Sequence, residues 1–285
     1  MLGKLNSYLE LIRFYRPTGS LLLFFPILFT FLFLDPNFNS WRILLVFALA
    51  SFVMRSAGCV INDIWDVKFD KQVKRTKNRP LANGSVSKVE AFVLLISLLF
   101  LGLFLGLSLQ LKTLIFISFL LVPIAIYPLC KRFFKYPQFF LGATFNTGAL
   151  VASYELTGAI SYHIWVLYFA CIFWTVGYDT IYAYQDREDD LELGLNSTTI
   201  SFKDSGKKIV VGCYLLFLLG IFFIGIEAGF RLIFFILLQS LTLYIMQQLI
   251  NLDLEEQESC AAFFKHNSYY AAIISVILII SNYLS

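Results

Sequence analysis

Two groups of carboxylates interrupt an otherwise apolar chain: Asn62-Asp63-Ile64-Trp65-Asp66-Val67-Lys68-Phe69-Asp70 and Asp186-Arg187-Glu188-Asp189-Asp190. Each stands at the end of a membrane-length hydrophobic run, where an ionised carboxylate is costly unless it holds a cation. On a helix, Asn62, Asp66 and Asp70 follow at four-residue steps. Each is turned about 40° from the last, so the three form one oxygen-rich face. Asp63, Asp66 and Asp70 form a competing face. Asp186 and Asp190 repeat the four-residue step, and Asp179 lies seven residues before Asp186 on the same side. Two opposed carboxylate faces suit Mg²⁺, a hard cation that takes few protein carboxylates and completes its octahedron with water and phosphate oxygens. A diphosphate would fill those remaining positions.

Cations suited to such an anion lie close by. Arg55 is seven residues before Asn62, on the same helical face and inside the apolar run, where a charge needs a partner or a water-filled cavity. Arg75, Lys77 and Arg79 crowd the loop after the first acidic set, and Lys131 and Arg132 end a later apolar run. Lys203, Lys207 and Lys208 read as topogenic charge alone. The five cysteines show no C-x-x-C spacing and read as packing residues. His163 and His266 are too few and too far apart for a histidine metal site.

The elements that must carry these residues follow from hydropathy. Of 285 residues, 59% are hydrophobic and 14% charged, with mean hydropathy +0.75, against about 25% charged in soluble domains. The chain reads as an all-α, polytopic membrane protein in a lipid bilayer. A net charge of +3 without a dense basic face excludes a nucleic-acid partner. Apolar runs long enough to cross about 30 Å of hydrocarbon fall near 17–34, 43–61, 91–111, 113–130, 136–154, 162–178, 209–226, 232–250 and 269–285, predicting nine transmembrane helices. With the amino terminus inside, nineteen of the 22 Lys and Arg residues fall on the cytoplasmic side, leaving Arg42, Lys112 and Arg231 outside. Both acidic sets then face the cytoplasm. The amino-terminal stretch lacks a cleavable-signal pattern, and Leu5, Leu9, Ile12 and Tyr15 mark one face of a short lead-in helix. Each acidic set follows the second helix of a group of four, a placement that internal duplication would produce and that would let the two sets face each other.

The run Gly58 to Asp70, with Val73-Lys74-Arg75-Thr76 and Arg79-Pro80-Leu81, resembles the first aspartate motif of the UbiA superfamily of intramembrane prenyltransferases. Tyr178-Asp179-Thr180-Ile181-Tyr182-Ala183-Tyr184-Gln185-Asp186-Arg187-Glu188-Asp189-Asp190, with Gly194 and Ser197-Thr198, resembles the second, in the form found in 4-hydroxybenzoate polyprenyltransferases. Leu11 to Gly19 and Tyr127 to Arg132 add to the likeness, which spans most of the chain. Glu188 stands where an aspartate is usual and Ile181 where a polar residue often sits; neither changes the Asp186 to Asp190 spacing.

The resemblance implies one membrane-embedded domain over residues 1–285, with nine helices around a cytoplasm-facing, aspartate-lined cavity. It implies Mg²⁺ bridging a polyprenyl diphosphate and 4-hydroxybenzoate as acceptor, an early membrane step of ubiquinone synthesis. Asp66, Asp70, Asp186, Asp190 and Asp179 are then the catalytic carboxylates. Asn62, Asp63, Asp66, Asp70, Asp186 and Asp190 are the metal set, and Arg55, Asn62, Lys131, Arg132, Arg75 and Tyr182 bind substrate. The expected location is a bacterial inner membrane, or the mitochondrial inner membrane in a eukaryote. A naphthoate, homogentisate or haem acceptor would keep the metal chemistry; a membrane transporter is the reading from another class.

Overall fold

The computed structural model describes residues 2–73, 75–192, 194 and 196–284, without the side chains of residues 2, 125, 128, 131, 132 and 204. Its helices are α1 (Leu2–Leu11), α2 (Thr18–Leu34), α3 (Trp41–Asp70), α4 (Lys88–Gly106), α5 (Leu111–Ile126), α6 (Pro137–Phe145), α7 (Thr147–Thr157), α8 (Tyr162–Ala183), α9 (Arg187–Glu192), α10 (Thr198–Ser201), α11 (Gly206–Glu227), α12 (Leu232–Asn251) and α13 (Gln257–Leu284). Among the described residues six segments are long and apolar enough to cross a membrane: Trp41–Asp70, Lys88–Gly106, Tyr162–Glu192, Gly206–Glu227, Leu232–Asn251 and Gln257–Leu284. Thr18–Leu34 and Leu111–Ile124 are shorter apolar helices. The chain is a multi-pass membrane protein, and it divides into two compact units. One takes in the chain up to Phe24 with Arg42–Leu114; the other takes in Phe25–Trp41 with Ile115–Ser285.

In the first unit, Val53, Ala57, Val60 and Val67 of α3 pack with Ala91, Leu95 and Leu98 of α4, at the three- and four-residue steps of one helix face. Leu11 of α1 and Leu81 and Val86 of the α3–α4 loop complete this core. The lead-in segment packs through Tyr8, Leu11 and Ile12, of which Ile12 belongs to the expected stripe, while Leu5 and Tyr15 of that stripe are exposed. Ser87 and Glu90 form a capping box at the start of α4, worth about 1 kcal/mol. Glu90 also binds Lys4 and Tyr8, at 2.9 and 3.0 Å, and so ties α1 to α4. The opposite face of α4 exposes Phe92, Phe100, Leu103 and Phe104, as a lipid-facing helix must.

In the second unit α8 is central and packs against α6, α7, α11 and α13. Small residues bring the helices close: a methyl group on Gly220 of α11 would lie 2.5 Å from the Ala170 Cβ of α8, and one on Gly142 of α6 would lie 3.0 Å from the Ile172 carbonyl oxygen. Trp174 of α8 stacks on Phe217 of α11 at 4.9 Å and 9°. Its indole donates to Asn267 Oδ1 of α13 at 2.8 Å, and Tyr214 of α11 donates to the same oxygen at 2.7 Å.

The expected helix 136–154 is broken at Asn146. This side chain donates to the Gly142 and Cys171 carbonyls and to Thr175 Oγ1 at 2.8, 3.2 and 2.8 Å, so an amide that competes with the backbone interrupts the ladder. The expected helix 269–285 begins twelve residues earlier, at Gln257, because Asn267 and Ser268, which lower its hydropathy, are buried contacts. Asn267→Leu should cost about 1–3 kcal/mol, since two buried donors lose their shared acceptor. The measurement is unfolding in mixed micelles followed by tryptophan fluorescence; an unchanged midpoint would show that the triad carries no stability.

Candidate active site

The first acidic set lies on the last turns of α3, one continuous helix from Trp41 to Asp70. Its burial separates the two faces that spacing alone leaves open. Ser56, Val60, Asp63, Val67 and Asp70 form a buried stripe against the unit's own core, while Arg55, Asn62, Asp66 and Phe69 form a half-buried stripe beside it. On α2, a methyl group added to Gly19 would meet Arg55 Nε at 2.6 Å, so glycine there leaves the guanidinium its place.

Asp63 and Asp70 are held by arginines. Arg13 Nη2 donates to both oxygens of Asp63 at 2.9 Å. Arg79 Nη1 donates to Asp63 Oδ1 at 3.1 Å and to both oxygens of Asp70 at 3.0 Å. Neither role was legible in the sequence: Arg13 is 50 residues from Asp63, and Arg79 reads as one loop cation among several. The loop that delivers Arg79 is itself ordered. Thr76 Oγ1 donates to the Asp70 carbonyl at 3.1 Å, Val86 N to the Pro80 carbonyl at 3.0 Å, and Ser85 N to Asn83 Oδ1 at 2.8 Å. Gly84, at φ +82°, occupies the left-handed position in this loop that favours glycine. Arg75 is half-buried in the same loop.

The second acidic set begins on α8, which presents Asp179 and Tyr182 half-buried near its end. A 3₁₀ turn, Tyr184–Asp186, then leads to α9. It turns each residue by about 120° rather than 100°, which shifts Asp186 relative to Asp179 without carrying it to the far side. Asp186 is half-buried, Asp190 on α9 is buried and Glu188 is exposed. The Tyr182 ring lies 4.6 Å from that of Phe264, and Gln257 Nε2 donates to the Gln185 carbonyl at 3.1 Å, fastening the turn to α13.

The segment after α9 is fixed by buried polar contacts that spacing gives no sign of. Thr198 N donates to Gln138 Oε1 of α6 at 3.0 Å, Thr198 and Thr180 share a hydroxyl contact of 2.7 Å, and Thr199 N donates to Ser197 Oγ at 3.3 Å. Gly194, at φ +66°, supplies the turn. Lys131 and Arg132 end a 3₁₀ helix, Tyr127–Arg132; their side chains lie outside the described residues.

Among the described residues no three His, Cys, Asp or Glu side chains are gathered as a metal cage. A hard cation such as Mg²⁺ takes oxygen donors and completes its octahedron with water and substrate phosphate. The half-buried oxygens of Asn62 and Asp66 fit such use.

A model described as the UbiA prenyltransferase family matches residues 23–269. A 4-hydroxybenzoate octaprenyltransferase of Marinomonas sp. (strain MWYL1) is 37% identical over 286 residues, 99% of this chain and 100% of the relative. The mitochondrial 4-hydroxybenzoate polyprenyltransferase of Bos taurus is 35% identical over 281 residues, 98% of this chain and 76% of the relative. Among solved structures, a UbiA homolog from Archaeoglobus fulgidus bound to GPP and Mg²⁺ has a TM-score of 0.70 at 20% identity, covering 98% of each chain. The apo structure of a homolog from Aeropyrum pernix K1 has a TM-score of 0.70 at 21% identity, covering 93% of this chain and 97% of that one. At such identities the likeness is one of fold.

Gln138→Ala should lower stability by about 1–2 kcal/mol, because the buried Thr198 N–H loses its acceptor, whereas Glu188→Ala on the exposed side of α9 should stay within about 0.5 kcal/mol. Thermal unfolding in detergent compares them; equal losses would remove the anchoring role of Gln138.

Proposed function

The chain belongs to the UbiA prenyltransferase family, and from that premise we propose that it transfers a polyprenyl group from polyprenyl diphosphate to the ring carbon ortho to the hydroxyl of 4-hydroxybenzoate. The single observation that carries the reading is the end-to-end likeness to relatives bearing that activity in their names. The acceptor is further supported by the Tyr178-Asp179-Thr180 lead-in to the second acidic set.

Asn62, Asp66 and Asp70 from one set and Asp186 and Asp190 from the other are the proposed oxygen donors to Mg²⁺. When bound, that ion acts as a Lewis acid, neutralising the charge that gathers on the diphosphate as the allylic carbon–oxygen bond breaks. Arg75, Lys131 and Arg132 receive the leaving diphosphate. Arg55 orients the anionic end of a substrate, and Asp179 with Tyr182 serves the acceptor, Asp179 polarising the phenol. The new carbon–carbon bond forms as the ring carbon attacks the allylic cation, after which the ring loses its proton. Apolar walls keep water from quenching the cation.

The eight apolar helices, with the broken pair α6–α7 as a ninth crossing, work as one prenyltransferase domain. The amino terminus and both acidic sets lie on the cytoplasmic side of a bacterial inner membrane, or on the equivalent side of the mitochondrial inner membrane in a eukaryote. The distribution of Lys and Arg supports this orientation.

Asp66→Asn and Asp190→Asn should each reduce Mg²⁺-dependent transfer at least about 100-fold, the scale on which losing an electrostatic catalytic contact acts, while the unfolding temperature in detergent stays near that of the parent. Normal turnover in either variant would remove the metal assignment. Purified protein given Mg²⁺, a polyprenyl diphosphate and 4-hydroxybenzoate, a naphthoate, homogentisate or haem should prenylate 4-hydroxybenzoate in preference. Transfer to another acceptor would keep the chemistry and replace the substrate.

A further inference from the structure

Asp63 is 1% exposed, and among the described residues its hydrogen bonds come from cations of its own unit: Arg13 at 2.9 Å on both oxygens and Arg79 at 3.1 Å on one. The same Arg79 nitrogen lies 3.0 Å from both oxygens of Asp70, seven residues further along α3. One guanidinium nitrogen therefore divides its charge between two carboxylates two helical turns apart.

A second observation bears on the same group. Arg13 stands at φ +58° just after α1 ends, in the left-handed region that costs a non-glycine residue about 1 kcal/mol or more and persists only where the surroundings impose it. Its guanidinium bridges the Glu10 carbonyl, at 3.0 Å, and Asp63. The strained backbone delivers a second cation to a buried carboxylate that Arg79 reaches on one oxygen only. A buried ion network of this kind is weak evidence for stability; what it does here is fix where Arg79 sits.

We propose that Asp63 is a positioning residue that acts through Arg79 on Asp70, and not a ligand of the metal. By taking a share of the Arg79 charge and setting where its nitrogen lies, Asp63 keeps the guanidinium from neutralising Asp70 alone. Asp70 thereby stays oriented by a cation without being sequestered by it. With Asp63 uncharged, Arg79 pairs with Asp70 only and competes with a divalent cation for that carboxylate. The inference rests on the reading of Asp70 as a metal ligand given above.

The test is Mn²⁺ binding followed by electron paramagnetic resonance on the full chain in detergent, for the parent, Asp63→Asn, Arg79→Gln and the double variant, with thermal unfolding as the check on folding. Through-Arg79 action predicts that Asp63→Asn weakens Mn²⁺ binding about tenfold in the parent but no more than about threefold when Arg79 is already Gln, the non-additivity expected of groups that act through one another. Equal weakening in both backgrounds would make Asp63 a ligand in its own right and overturn the proposal. Should Asp63→Asn alone fail to fold, Arg79→Gln against the double variant decides by the same criterion. A parent protein that binds no Mn²⁺ would overturn the metal reading itself, an outcome distinct from equal weakening.

Discussion

A buried carboxylate must bring its own cations, because an uncompensated buried charge costs several kcal/mol. The first unit is organised around that requirement. Asp63 lies on a helix whose neighbour α4 shows phenylalanine and leucine to the outside, and Arg13 and Arg79 converge on it from opposite ends of the local chain. To deliver them, the segment after α1 takes up a left-handed residue and the α3–α4 loop folds back on the helix it has just left, hydrogen-bonded to the Asp70 carbonyl through Thr76. The shape of both connections thus follows from where the negative charge was placed.

The second unit buries carboxylates too, Asp190 and Glu155 among them, and adds a set of neutral polar groups. Gln138, Thr180, Ser197 and Thr198 bury their polar atoms against one another, and Asn267 serves three helices at once. Neutral amides and hydroxyls lose less on leaving water than ions do, so they can sit deeper in the bundle. Asn146 shows the cost of burying such a group: it reaches α8 through two donations, to Cys171 and Thr175, yet its Oδ1 has no partner in its buried position, and the helix that carries it breaks there.

Continuous apolar runs are legible without any knowledge of neighbours, which is why hydropathy locates the helices that carry the acidic sets. It fails where a polar residue is buried by a partner far away in the chain. Asn146 falls inside an expected helix and Asn267 just outside one, and neither shows its role until Thr175, Trp174 and Tyr214 are seen beside them. The same limit applies to the site. Four-residue spacing identifies α3 as the bearer of Asn62, Asp66 and Asp70, but two candidate faces remain, since neighbouring stripes on a helix differ by only some tens of degrees. The structure keeps neither as drawn: Arg79 joins Asp63 and Asp70 on a common buried stripe, and Asn62 and Asp66 lie half-buried beside it. No pattern in the sequence separates that arginine from Arg75 or Lys77 a few positions away.

Every partner of Asp63 belongs to the first 79 residues of the chain, and the core beneath them is closed by residues up to Leu105. Domains tend to form in the order in which they are synthesised, and contacts of short sequence separation form early. Separations of 50 and 16 residues keep the whole ion group within one helical hairpin and its lead-in, so among the described residues its pairing calls on no later helix.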